Sequence, residues 1–193
     1  MRNCPRDRSS MEDESDRVVL VSHCILNQST RARWPGGGAR RDTGILRDVL
    51  ELLMAEGVGV VQMDCPEFSL FGNPRRPRTK EGYDTPEFRE ICGQIAGRTC
   101  DRIIAFQKTG PTGVEVIAVL GVEGSPSCGV RRTPRIIDDE GVDASEPGLL
   151  METLMDEMKR VGLETPIIGM SLREGEREER LTALKALITP RTS

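Results

Sequence analysis

Residues 114–122, Val-Glu-Val-Ile-Ala-Val-Leu-Gly-Val, are the stretch that decides the fold. A short run rich in β-branched and aliphatic residues is typical of a strand that is buried on both faces of a parallel sheet. Similar short runs occur before and after it. They lie at residues 18–22, 58–63 and 166–170.

Segments with helical periodicity separate these predicted strands. Apolar residues recur every three to four positions, and Pro or Gly stands near the segment ends, as expected at helix boundaries. The predicted helices cover residues 45–57, 85–107 with a possible break at Gly97, 146–162 and 174–187. We predict long loops for residues 64–84 and 123–145.

The alternation of strands and helices predicts an α/β fold, a three-layer sandwich with a mainly parallel, Rossmann-like sheet. A chain of 193 residues suits a single domain, which we assign to residues 17–188. Residues 1–16 are polar and charged, and we expect them to form a disordered N-terminal tail.

The composition limits the classes of function. No run approaches the ~18 apolar residues of a membrane span, and the N-terminus lacks the apolar stretch of a signal peptide. We therefore expect a cytoplasmic protein. The formal net charge of -4 gives no overall reason to expect nucleic-acid binding. The sequence does not indicate an oligomeric state.

Three cysteines follow the first three predicted strands. Cys24 comes two residues after the first strand, Cys65 two after the second, and Cys128 six after the third. The carboxyl ends of parallel strands meet at one edge of a sheet, where ligands bind. Thiolates select zinc, copper(I) or iron–sulfur clusters, and three ligands leave one position open for chemistry. Two other interpretations stay open, namely a structural zinc site completed by His23 and cysteines buried only for packing.

The residues around these cysteines resemble the thiouracil desulfidase family, formerly a domain of unknown function. The motifs are Val-Ser-His-Cys-Ile-Leu-Asn at residues 21–27, Asp-Cys-Pro-Glu at 64–67 and Gly-Ser-Pro-Ser-Cys-Gly at 124–129. The resemblance spans about residues 18–170. It implies a [4Fe-4S] cluster held by Cys24, Cys65 and Cys128, with one iron open, and a reaction that replaces C=S by C=O and releases sulfide from a small thiolated substrate.

The resemblance also implies two catalytic residues. Glu67 corresponds to the acid of the second motif and Ser125 to the first serine of the third, with proton transfer and hydrogen bonding as their roles. From the residues alone, Glu67 could be a general base or could cap backbone N–H groups. The serines beside Pro126 could bind substrate, donate to cluster sulfur or hold the turn. The residues expected to bind substrate are Ser22, His23, Ser127 and Arg75.

The sequence departs from the family pattern in places. The first motif reads Cys-Ile-Leu-Asn where the main family has Cys-Leu-Leu-Gly, and His23 replaces a small residue. These differences indicate a divergent branch and leave the substrate open. The alternatives to a desulfidase are a non-hydrolytic cluster-binding or sulfur-carrier protein and a zinc-binding structural domain.

A basic segment follows each of the three cysteines, and this pattern is independent of the family. The arginines are Arg31, Arg33, Arg40 and Arg41 in the first segment, Arg75, Arg76 and Arg78 in the second, and Arg131, Arg132 and Arg135 in the third. They could steer a phosphorylated substrate to the site, or they could pair with local acids. Trp34 and Tyr83, in the predicted loops, could stack on a heterocycle or form an apolar lid.

Overall fold

Four parallel strands form the central sheet of the structure, a computed structural model that describes residues 16–33, 44–107 and 113–189. A separate antiparallel hairpin follows the third of these strands. The central strands are β1 (Arg17–Ser22), β2 (Gly59–Met63), β3 (Glu115–Val122) and β6 (Ile167–Met170), and the hairpin strands are β4 (Thr133–Ile137) and β5 (Glu140–Ala144).

The strand order is β2-β1-β3-β6, and every pair in this sheet is parallel. The chain first adds β2 on one side of β1 and then crosses to the other side to add β3. Such a change of direction is a topological switch point, beside which open α/β sheets bind ligands. β1 therefore lies between the two strands that lead to Cys65 and Cys128.

Helices cover both faces of the sheet. Val19, Leu20 and Val21 of β1 are each fully buried, and successive strand residues point to opposite faces. The helix from Pro86 to Gln107 (α5) packs against that from Leu149 to Val161 (α6), and the helix from Arg47 to Ala55 (α2) against that from Glu174 to Ile188 (α7). The predicted single-domain α/β three-layer sandwich with a parallel sheet is confirmed.

The four predicted helices are present, and α5 runs through Gly97 without a break. The predicted loop 64–84 is wrong in part, because it contains two short helices. They are α3 (Pro66–Phe71) and α4 (Lys80–Tyr83), and a further helical turn, α1 (His23–Leu26), follows β1. The predicted loop 123–145 is also wrong in part, since it contains the β4–β5 hairpin.

An ionic network joins α4 to the hairpin and to the start of α6. Arg135 on β4 pairs with Glu81 on α4 and with Glu146, whose carboxylate lies 2.5 Å from the guanidinium. Lys80 is buried and pairs with Glu146 at 3.3 Å, while its Nζ donates to the Pro147 carbonyl at 2.9 Å. The second half of loop 64–84 is thus fixed against the rest of the domain.

Several expectations concern residues outside the described ranges. These are the N-terminal tail apart from Asp16, and Trp34, Arg40 and Arg41. The domain limits of 17 and 188 stay a prediction. None of the described helices combines the length and apolar character needed to cross a lipid bilayer.

Candidate active site

Cys24, Cys65 and Cys128 line one cavity of about 580 Å³ at the carboxyl edge of the sheet. Each follows its strand at the predicted distance: β1 ends at Ser22, β2 at Met63 and β3 at Val122. Cys65 and Cys128 are buried, and Cys24 is half-buried. The structure thus brings together three thiols that are about 40 and 60 residues apart in the chain.

Each of the three thiols raises the pKa of one other member of the trio. Burial, followed by the charge of Cys65, raises the pKa of Cys24 to about 12. Burial and then Cys128 raise the pKa of Cys65 to about 12, and burial and then Cys24 do the same for Cys128. Without a bound cation the trio is therefore held as neutral thiols at physiological pH.

The loop that carries Cys128 is closely packed. Ser125 Oγ accepts hydrogen bonds from the backbone N–H of Cys128 at 3.0 Å and of Ser127 at 3.4 Å. A Cβ atom added at Gly148 would lie 2.6 Å from the carbonyl carbon of Ser127, so the start of α6 presses directly on this loop. The fold therefore fixes the position of Cys128, and Ser125 stabilises the turn while also lining the cavity.

Cys65 stands at the start of α3 as its N-cap. Its Sγ accepts from the Phe68 N–H at 3.4 Å, and Pro66 occupies the first helical turn. The guanidinium of Arg75 lies 3.9 Å from the same sulfur. Because α3 begins at Cys65, its first turn also presents Glu67 to the cavity.

Glu67 lies at the centre of a buried hydrogen-bond network. Its Oε1 accepts from Ser127 Oγ at 2.7 Å, and its Oε2 accepts from Arg75 Nε at 3.3 Å and from Tyr83 Oη at 3.2 Å. Ser127 Oγ is also 3.6 Å from Cys128 Sγ. One network thus links the carboxylate of the second motif to the cysteine of the third.

Arg75 is buried within this network. Besides Glu67, its guanidinium donates to the backbone carbonyls of Thr30 at 2.6 Å and Gly72 at 3.3 Å. It lines the cavity, but its donors are engaged with protein groups. These hydrogen bonds indicate that Arg75 holds the Glu67 carboxylate in place.

The expectation that Tyr83 lies in a loop is wrong, whereas its expected role in stacking on a heterocycle or in an apolar lid stays a prediction, since Tyr83 does line the cavity. Tyr83 ends α4, is 1% exposed, and stacks on Phe88 with ring centroids 5.1 Å apart. Its contact with Glu67 spans 16 residues of sequence. No motif marks it, and its only sequence signal is a lone aromatic residue between polar neighbours.

Ser22 and His23 lie next to Cys24 but have different surroundings. Ser22 Oγ is buried and has no hydrogen-bond partner among the described residues. Burial raises the pKa of the Cys128 thiol, and the nearby hydroxyls of Ser127 and Ser22 lower it in part. His23 lines the cavity, its Nε2 lies 2.7 Å from Thr30 Oγ1, and its ring stacks on Phe68.

If His23 and Cys24 continued the extended backbone of β1, their side chains would point to opposite sides. Instead, both residues belong to the helical turn α1, and both line the cavity. Even so, within residues 16–33, 44–107 and 113–189, no three His, Cys, Asp or Glu side chains are grouped to hold a single metal ion.

The loop arginines do not all have the same surroundings. Arg132 pairs with Glu176 at 2.7 Å and Arg135 with Glu81 and Glu146, so these two have acidic partners. Arg31 and Arg78 line the cavity instead. The Arg78 guanidinium lies 4.4 Å above the centroid of the Phe71 ring and donates to the Gly82 carbonyl at 3.1 Å.

Comparison with known proteins identifies the family of this chain. Residues 16–142 match the family described as "Putative 2-thiouracil desulfurase". The chain belongs to this desulfurase family. The matched region includes Cys24, Cys65, Glu67 and Cys128, and it ends within the β4–β5 hairpin.

Two similar proteins extend the desulfurase comparison. The uncharacterized protein MJ0003 of Methanocaldococcus jannaschii is 27% identical over 172 residues, which cover 89% of this chain and 97% of that protein. The structure of the [4Fe-4S]-dependent thiouracil desulfidase TudS is similar with a TM-score of 0.52 and 22% identity, covering 89% of this chain and 99% of that one. The second similarity supports the same fold.

Two further cysteines of this desulfurase family member lie elsewhere. Cys92 and Cys100 are buried on α5 and do not line the cavity. They belong to the apolar core, where free cysteine is often found. They therefore provide matched controls for substitutions of the three cavity cysteines, and Cys92 is the stricter control, because burial and then the nearby Cys128 raise its pKa.

Proposed function

We propose that this chain is a desulfidase that converts the C=S group of a thiolated heterocycle into C=O, with water as oxygen donor and sulfide as the second product. We further propose that Cys24, Cys65 and Cys128 hold a [4Fe-4S] cluster. The observation that carries the proposal is the single cavity that these three thiols share with the buried, hydrogen-bonded Glu67 carboxylate.

The residues present are suited to a cluster. Thiolates are the ligands of iron–sulfur centres, and three free cysteines line this one cavity. The buried Ser22 Oγ, without a hydrogen-bond partner among the described residues, stands next to Cys128 as a donor for a ligand sulfur. Hydrogen bonds to ligand sulfurs tune such centres.

A bound cluster with three cysteine ligands would supply one iron that can act as a Lewis acid toward the soft sulfur of the substrate. The remaining chemistry is assigned to the chain. Water must lose a proton to attack the thiocarbonyl carbon, and Glu67 is the carboxylate within the cavity. In the balanced reaction, water provides the oxygen of C=O and both hydrogens of the released H₂S.

The hydrogen bonds of Glu67 favour Oε1 as the atom that takes the proton. A carboxylate offers about four lone-pair positions, two on each oxygen. Arg75 and Tyr83 occupy both on Oε2, whereas Oε1 has only the bond from Ser127. Ser127 then aligns Oε1 toward the edge where Cys128 lies, and we propose Ser125 as a substrate contact from the same loop.

We propose that the substrate carries phosphate, and that the cavity holds it together with the cluster. The cavity of about 580 Å³ lies in the size range of sites for drug-sized ligands. Arg78 could bind an anionic group of the substrate, because it lines the cavity and its guanidinium is stacked on the Phe71 ring. His23 lines the same cavity from α1, and we propose it as a substrate contact.

The test of the reaction is sulfide release by anaerobically reconstituted protein. We expect sulfide and the oxo product in equal amounts from a thiouracil or one of its nucleotides, with many turnovers per chain. Cys24→Ala, Cys65→Ala and Cys128→Ala should abolish turnover, whereas Cys92→Ala and Cys100→Ala should retain it. Sulfur bound at no more than one per chain without turnover would instead indicate a carrier protein.

Phosphate recognition has a separate test. We compare a thionucleoside with its monophosphate at low and high salt, in wild-type protein, Arg78→Ala and the exposed control Arg76→Ala. The monophosphate should have the lower KM at low salt, and only Arg78→Ala should remove most of the difference. Equal KM values for the two substrates in wild-type protein would exclude a phosphate site.

A further inference from the structure

Tyr83 lies outside the three cysteine motifs, yet its hydroxyl reaches the carboxylate of the second motif. Tyr83 Oη donates to Glu67 Oε2 at 3.2 Å. The ring stacks on Phe88 and tilts against Phe71, with centroids 5.1 Å and 5.5 Å apart. A ring packed on two sides and 1% exposed has little freedom to rotate away, so its hydroxyl has a fixed position.

The helix that carries Tyr83 is anchored as well. α4 is a single turn, but it begins with Lys80, whose Nζ donates to the Pro147 carbonyl at 2.9 Å and pairs with Glu152 at 3.2 Å. Glu81 pairs with Arg135 of the hairpin. α6 and the hairpin, two elements from the second half of the chain, thus hold the hydroxyl of Tyr83 in place.

The two donors on Oε2 fix the orientation of the carboxylate. With Arg75 Nε at 3.3 Å and Tyr83 Oη at 3.2 Å, Oε2 is held from two directions. This leaves Oε1 directed at Ser127. With only the arginine left, the carboxylate could turn about its last side-chain bond and lose this alignment.

We propose that Tyr83 is a positioning residue. It holds the Glu67 carboxylate so that Oε1 faces Ser127 and the side of the cavity where Cys128 lies. Tyr83 lines the cavity, but its hydroxyl is engaged with Glu67 Oε2, so in this proposal it acts through Glu67. This inference rests on the proposed function for the effect on turnover, but the contact itself can be tested without it.

The kinetic test uses Tyr83→Phe, which removes the hydroxyl and keeps the packed ring. We expect kcat to fall by about 10- to 100-fold with KM changed by less than about twofold, because misplacement of a reacting group acts on the chemical step. Thr99→Val is the matched control, since it removes a buried hydroxyl that donates to Ile95 O at 2.8 Å on α5, away from the cavity. A kcat of Tyr83→Phe within twofold of the control would overturn the proposal.

The second test is spectroscopic and uses cluster-free protein. Tyr83 is the only tyrosine in the chain, so the near-ultraviolet absorbance of tyrosinate reports on this residue alone. Burial, followed by the charge of Glu67, raises the pKa of Tyr83 above its ordinary value of about 10. In folded protein we expect ionisation at higher pH than in unfolded protein, and a lower midpoint in Glu67→Gln than in wild type.

The two tests separate the possible failures. If no thiolated heterocycle is turned over but Glu67→Gln still lowers the Tyr83 midpoint, the proposed function fails and the contact stands. If turnover occurs but Tyr83 ionises at its ordinary pH in folded protein, with circular dichroism showing that the fold persists, the positioning role is overturned.

Discussion

Replacing Arg75 with Met should destabilise the protein strongly, because it leaves Glu67 buried without its cationic partner. The side chains of Arg75 and Glu67 are 4% and 9% exposed, so water cannot replace the lost partner. Removing one member of a buried ion pair costs about 3–5 kcal/mol. Glu67 keeps its bonds from Ser127 and Tyr83, but the Thr30 and Gly72 carbonyls also lose their donor. We therefore expect a loss of about 3–5 kcal/mol, a large part of the ~5–15 kcal/mol typical of a domain.

Urea denaturation of cluster-free protein measures this loss as a lower midpoint at unchanged m-value. The double variant Arg75→Met with Glu67→Gln removes the uncompensated charge, so its cost should be about 2 kcal/mol less than the sum of the single costs. Arg33→Met, at an exposed arginine that donates to Ser29 O, is the control and should change stability by less than ~0.5 kcal/mol. The idea of a buried Arg75–Glu67 ion pair would be refuted if the losses of unfolding free energy in the two single variants simply added up in the double variant. A loss below ~1 kcal/mol in Arg75→Met would refute it as well.

Three further predictions address the walls and the loop of the site. Slight burial raises the pKa of Glu81, but the hydrogen bond from Arg135 outweighs it and lowers this pKa from 4.5 to about 2. The stabilisation by the Glu81–Arg135 pair is complete above the pKa that Glu81 has in the unfolded chain, and it is lost as the pH falls toward ~2. Glu81→Gln should therefore lose less thermal stability than wild type between about pH 5 and pH 2. Gly148→Ala should cost about 1–3 kcal/mol in urea, because its Cβ would meet Ser127, whereas Gly93→Ala, in open space on α5, should add ~0.5–1 kcal/mol. Ser127→Ala should lower kcat at least about tenfold with iron content unchanged, and loss of iron would indicate a structural role instead.

The strands, and the edge of the sheet where the three cysteines lie, could be predicted because the sequence patterns that indicate them are local. A β-branched run such as residues 114–122 is typical of a buried strand, and parallel topology then brings the residues after β1, β2 and β3 to one edge. The distances of Cys24, Cys65 and Cys128 from the strand ends followed from the same reasoning, which needs no knowledge of side-chain contacts.

The parts that could not be predicted depend on weak local signals or on distant contacts. The hairpin turns at Asp138 and Asp139, both with positive φ, where Asn-Gly or Asp-Gly would have given a clear signal. α3 begins at a cysteine N-cap, which is an unusual capping residue. The bonds from Ser127 and Tyr83 to Glu67 span 60 and 16 residues, and only the folded chain reveals them.

The most direct test of the cluster is the iron and acid-labile sulfide content of anaerobically reconstituted protein, with Mössbauer spectroscopy to identify the cluster type. We expect about four irons per chain in wild type, Cys92→Ala and Cys100→Ala, and a marked loss in Cys24→Ala, Cys65→Ala and Cys128→Ala. One iron site should change its spectrum when the thiolated substrate is added. Wild-type protein that binds zinc or no metal after reconstitution, or iron that is unaffected by loss of the three cavity cysteines, would contradict the account.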